Sequence, residues 1–143
     1  IVKQQGNVNL GRRIFVKANC TSCHSLSREE KQKGPFLGNI AQTYKRPELA
    51  ASVLEPSKTI AQGFATNLFL TIDGELLTGF VTDEQSDRVT IRDQDGKETT
   101  LMKEDIEQRK TSETSVMPVG LLDEFTVQEA ASLLDFLEEI AKE

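Results

Sequence analysis

Cys20-Thr21-Ser22-Cys23-His24 gathers both cysteines and the only histidine of the 143-residue chain into five positions. Cys-x-x-Cys-His is the attachment signature of a c-type haem. Each thiol can add across one haem vinyl group, and the adjacent imidazole is then placed to ligate the iron. No second histidine exists for the opposite face. The candidates there are Met102, Met117, a lysine, water or nothing. Met102 follows Thr100-Leu101 near the end of an expected strand, where a half-buried packing residue is the favoured reading. Met117 lies in Ser115-Val116-Met117-Pro118, and its proline restrains the loop to an extended form. A thioether there completes Met/His coordination, which tends to raise the haem potential. Core packing is the alternative reading for Met117. Tyr44, the only tyrosine, and Arg46 are candidate haem-propionate contacts, or else an ordinary surface pair.

Three functions compete for these residues. Six-coordinate His24/Met117 iron suits a mono-haem electron carrier, because both oxidation states keep their ligands and little rearranges during transfer. A gas-binding or sensory haem domain needs a displaceable sixth ligand, and peroxidase chemistry usually needs distal acid-base groups, which a second histidine would supply. A haem-free redox disulfide or zinc site is the third reading. It has only three local ligands, and no βαβ context follows the motif.

The net charge is −6 and the isoelectric point is near 4.9. That balance argues against nucleic acid and against an anionic membrane surface as partners. It favours a basic or neutral docking partner. No apolar run approaches the roughly 20 residues of a membrane-spanning helix. Covalent haem is normally attached outside the cytoplasm, so the expected location is periplasmic or otherwise exported, with a signal peptide already removed.

The elements that must hold these residues read as α, then β, then α. A first helix is expected over about residues 7–19, capped by Asn9, with Leu10, Ile14, Phe15 and Val16 on its apolar face and Gly11 near it. Gly34-Pro35 marks a turn. Pro47 suits the first turn of a second helix ending near Leu54, and Ser57 can cap a short helix through Ile60. Leu68, Leu70 and Ile72 then alternate, Asp73-Gly74 is a hairpin signal, and strands follow at 77–81, 88–92 and 99–101. Lys103 to Thr114 is polar, with Ile106 its one anchor. Thr126-Val127-Gln128-Glu129 has capping-box spacing ahead of Leu133, Leu134, Phe136, Leu137 and Ile140.

Gly11-x-x-x-Phe15, the Cys20–His24 motif, Gly34-Pro35-Phe36-Leu37, Met117-Pro118 and Leu133-Leu134-Asp135-Phe136-Leu137 together resemble a class I cytochrome c. The resemblance implies one covalent haem c per chain and a non-enzymatic electron-transfer role. It also implies crossing first and last helices with Gly11, Phe15 and Phe136 at their contact. His24 and Met117 would be the metal ligands, and Leu37 a haem contact. By motif position Pro35 offers its carbonyl to the free nitrogen of His24, which fixes the ring and strengthens it as a donor. The long stretch between His24 and Met117 departs from a compact member of that family. The fold expectation is therefore a mainly α, class I cytochrome c core. A single domain over residues 1–143 has its helical haem core at 1–63 and 112–143, interrupted by a β-rich insertion at 64–111. The turns, Gly79 and Ile106 suggest that the insertion is a small SH3-like barrel.

A more specific resemblance spans nearly the whole chain. Gly34-Pro35-x-Leu37, Glu48-Leu49, Val53-Leu54-Glu55-Pro56-Ser57-Lys58-x-Ile60, Asp73-Gly74 with Gly79, Ile106 and Ser115-x-Met117-Pro118 are similar to the haem-binding domain of planctomycetes and verrucomicrobia. It implies a redox protein or a fused dehydrogenase-like module as the electron donor.

Overall fold

A computed structural model describes residues 1–143. The chain divides into two compact units, one built from residues 1–59 with 118–143, the other from residues 60–117.

The first unit is helical. Its elements are α1 (Val8–Lys17), a 3-10 turn (Cys20–Ser22), α2 (Ile40–Thr43), α3 (Arg46–Leu54) and α4 (Val127–Ile140). Asn7, not Asn9, caps α1, with its side chain accepting from Leu10 N at 3.0 Å. The backbone N–H groups of Gly6 and Asn7 donate to Asp135 Oδ2 (2.7 Å) and Ser132 Oγ (2.9 Å) on α4. These bonds fix where α1 begins, and so select the earlier asparagine. At the α1–α4 contact Gly11 lies so close to Ser132 that any Cβ would collide with its backbone carbonyl. Phe15 meets Phe136 edge-on, with centroids 5.5 Å apart, and Arg12 lies 4.9 Å over the Phe136 ring. Ile14, Phe15, Leu49, Leu133, Leu134 and Phe136 form the buried centre of the unit. The start of α4 is a reciprocal capping box, as its spacing predicts: Glu129 N donates to Thr126 Oγ1 (3.1 Å) and Thr126 N to Glu129 Oε1 (2.9 Å). No helix forms after Ser57; residues 56–58 make only a turn.

The second unit is an antiparallel sheet of β1 (Asn67–Thr71), β2 (Leu76–Glu84), β3 (Arg88–Arg92), β4 (Glu98–Met102) and β5 (Ile106–Thr111), in the order β4-β3-β2-β1-β5. Its own core is Phe69, Val89 and Ile91, with Leu77, Val81, Leu101 and Ile106 packed around them. In β1 the buried positions are Asn67, Phe69 and Thr71. The expected face of Leu68, Leu70 and Ile72 is therefore the other face of the strand, and Ile72 is exposed. Alternation permits either phase, and the phase that encloses the larger Phe69 side chain wins. β5, within the stretch read from the sequence only as polar with Ile106 as its one anchor, is a strand because it pairs with β1 along the length of that strand. Arg109 reaches Glu84 through both terminal nitrogens, and Lys103 joins the same carboxylate at 3.0 Å. The Arg109 guanidinium, and then Lys103, hold the Glu84 carboxyl down at about 2.

The expectation of a mainly α chain is not met. About 30% of the residues are helical and 21% lie in the five-stranded sheet, because the stretch expected to interrupt the helical core pairs into five strands, the last of them the polar run Ile106–Thr111.

Candidate haem-binding site

The Cys20–His24 loop owes its shape to the residue before it. Asn19 adopts a left-handed conformation, with φ of 64°, and its side chain tolerates that region better than most. The chain thereby leaves α1 and enters the 3-10 turn. Ser22 N and Ser22 Oγ donate to Asn19 O, and both Cys23 N (3.3 Å) and His24 N (2.9 Å) donate to Cys20 O. This is one helical turn. Residues at i, i+3 and i+4 of such a turn share a face, so Cys20, Cys23 and His24 lie on the same side. Sequence reading did not anticipate Asn19; an asparagine after a helix and before a functional loop is the signal that could have found it.

Behind this turn the segment 34–37 closes the loop. His24 Nδ1 lies 2.7 Å from Pro35 O, the hydrogen bond expected between them. A carbonyl only accepts, so Nδ1 carries the proton and Nε2 keeps its lone pair. Leu37 N donates to Ser25 O at 3.1 Å, and buried Ser25 Oγ accepts from Ser27 N at 3.0 Å. Gly34 runs so near Cys23 that a Cβ would lie 3.1 Å from its carbonyl oxygen. Arg28 stacks 4.3 Å over the Phe36 ring.

Electrostatics favour a ligand over an acid or a nucleophile. Burial lowers the pKa of His24, and the Pro35 hydrogen bond only partly opposes it. The ring is therefore neutral near pH 7, as a metal ligand must be. Burial pushes the Cys20 thiol up to about 11, and a thiol that stays protonated is a poor partner for disulfide exchange. Both cysteines are free, with Cys20 half-buried and Cys23 exposed. No three His, Cys, Asp or Glu side chains converge on a common metal position, so the zinc alternative finds no cage. The donor set does fit a c-type haem: two free thiols and one oriented imidazole on a single turn.

The remaining candidates divide. Leu37 and Tyr44 are half-buried and pack against the helical core. Arg46 is committed elsewhere. Its guanidinium donates to Asp135 Oδ1 (2.7 Å), Glu138 Oε1 (2.9 Å) and the carbonyls of Val2, Gln4 and Ala131. All five N–H groups have acceptors, which leaves none for a propionate. Met117 is the last residue of the sheet unit. It is half-buried, its N–H donates to Ser115 Oγ at 3.1 Å, and the chain bends at Val116 and Met117 instead of running extended. Met102 ends edge strand β4, paired with Arg88.

The family model for cytochrome c matches residues 8–90. That match covers more than half of the chain, so the chain belongs to the cytochrome c family. No curated protein matches it. Membership makes this a domain with covalently attached haem c that serves haem-based electron transfer between redox partners. No helix is long and apolar enough to cross a membrane.

Proposed function

We propose that this chain is a mono-haem electron carrier. Cys20 and Cys23 would hold the haem through thioether bonds, and His24 Nε2 and Met117 Sδ would be its two iron ligands. The observation that carries this reading is the single turn bearing Cys20, Cys23 and His24, with the histidine's remaining nitrogen already satisfied by Pro35. Bound haem supplies the one-electron ferric/ferrous couple. The protein's part is to keep the donors fixed. The Pro35 carbonyl locks the imidazole orientation and raises its basicity, and burial keeps the ring neutral. Neither group takes up or releases a proton when the electron moves.

Motifs from Gly34-Pro35 to Met117-Pro118 support assignment to the planctomycete and verrucomicrobial type of haem domain. We place residues 64–111 as an insertion in the distal half of one cytochrome domain, with the haem core in residues 1–63 and 112–143. An exported, periplasmic location follows from covalent haem attachment, and the donor is a redox protein or a fused dehydrogenase-like module.

The test is the absorption spectrum of the oxidised, haem-loaded protein. Met117→Ala is expected to abolish the weak red charge-transfer band of methionine-ligated ferric haem, while Met102→Ala retains it. The reverse result sinks the ligand assignment. Rapid carbon monoxide binding by the reduced native protein would replace the carrier reading with a gas-binding one.

A further inference from the structure

We propose that Val116 is a positioning residue for Met117, and that the five-stranded sheet is thereby the device that holds the sixth ligand in place. This inference rests on Met117 being that ligand. The chain is tied to the sheet by hydrogen bonds up to Ser112. β5 pairs with β1 to the Asn67–Thr111 position, Thr111 Oγ1 donates to Asn67 Oδ1 at 3.2 Å, and Ser112 N donates to Thr66 O at 2.8 Å, extending the pairing. Two local hydroxyl turns follow. Ser112 Oγ accepts from Thr114 N, and Ser115 Oγ accepts from Met117 N, each at 3.1 Å.

Val116 is the middle residue of the second turn and lines a recess with Thr66, Thr78, Gly79, Phe80 and Arg92. The space left empty between them is about 20 Å³, room for about one water molecule, so Val116 stands against these sheet residues with little room to shift and the recess is too small for a ligand site. Its floor is stiff. Gly79 approaches β3 so closely that a Cβ would lie 2.7 Å from Arg92 O, and Phe80 is buried, with its ring edge-on to Phe64 at 5.2 Å. Adjacent Cα atoms are about 3.8 Å apart, so a seated Val116 confines the Cα of Met117. The bend at both residues is spanned by the Ser115 Oγ–Met117 N hydrogen bond.

The experiment uses the haem-loaded protein and titrates added imidazole against the native methionine in the ferric state, following the methionine band. Val116→Ala is expected to raise the apparent imidazole affinity about fivefold, the factor that removing a pair of half-buried methyl groups corresponds to. Val116→Ile, which keeps the seat filled, should stay within about twofold of the native protein. Leu101→Ala, which thins the sheet core away from the recess, should lower the unfolding temperature and leave imidazole affinity within about twofold. An unchanged affinity in Val116→Ala, or an equal rise in Leu101→Ala, overturns the positioning role. Retention of the methionine band in Met117→Ala would instead remove the ligand assignment itself, so the two failures are distinct.

Discussion

At the scale of single residues, Arg46 shows how a chemically able side chain can be spent on architecture. A cation one residue before an apolar helix is a sensible propionate partner on sequence grounds. In the folded chain its planar fork meets two carboxylates of α4 and three carbonyls. Burial disfavours the charge, yet the hydrogen bonds it donates to Glu138 and Asp135 outweigh that and raise its pKa above the ordinary value. Arg46 therefore pins the N-terminal segment and α3 to α4. Hydrogen bonds to charged groups are worth about 1.5–3 kcal/mol each when a partner is left behind, and this side chain is only 18% exposed. Arg46→Ala is expected to destabilise the haem-loaded protein by about 2 kcal/mol or more in denaturant unfolding. Arg46→Lys should recover less than half of that, because an ammonium cannot serve five acceptors in one plane. If the lysine variant is as stable as native, charge alone suffices and the fork has no role.

At the scale of elements, the α1–α4 contact sets two known effects against each other. Replacing glycine by alanine inside an exposed helix gains about 1 kcal/mol from helix propensity. At Gly11 the new Cβ would meet the Ser132 carbonyl and the Phe136 Cβ, and forcing apart a packed contact costs about 1–3 kcal/mol. Overpacking should win, so Gly11→Ala is expected to lower the melting temperature; a rise would mean that the helices separate at little cost. Local signals of this kind were legible in the sequence. The Thr126–Glu129 box and the Asp73-Gly74 turn depend on neighbours a few residues away, and the Pro35 partner of His24, eleven residues on, was legible through the family motif. What stayed hidden depends on distant chain. Asn7 displaces Asn9 as cap because α4 supplies acceptors for the two N–H groups before α1. The phase of β1 is set by the enclosure of Phe69. β5, with only Ile106 less than exposed in the first five of its six positions and none of the rest buried, is a strand through pairing and not through an apolar face. Its charged side chains also suit an edge strand, which must not recruit another chain.

At the scale of the whole molecule, the net charge of −6 conceals a segregation. Residues 1–59 contain ten Lys and Arg against four Asp and Glu, residues 118–143 one against seven, and residues 60–117 six against twelve. The segment that bears the Cys20–His24 turn is thus basic within an acidic chain. Overall charge is a poor guide to what docks beside that turn. The division of labour follows the same lines. Thiols, imidazole and the Pro35 carbonyl belong to the helical unit, with its own core around Phe15 and Phe136; Met117 belongs to the sheet unit, with its core around Phe69. With Met117 as the proposed sixth ligand, such a plan makes attachment of haem and completion of its coordination separable. Replacing residues 64–111 by a short Gly-Ser linker should leave the α1–α4 pair and the attachment turn intact, so a Soret band and helical circular dichroism are expected to persist. The linker leaves Ser112, Ser115 and Met117 in the chain but removes Thr66 and the walls that seat Val116. The methionine band should therefore be lost, or yield to imidazole more readily than in Val116→Ala. A linker variant with a full-strength band and native imidazole affinity would show that Met117 finds its place without the sheet, and would leave the insertion with no part in ligation.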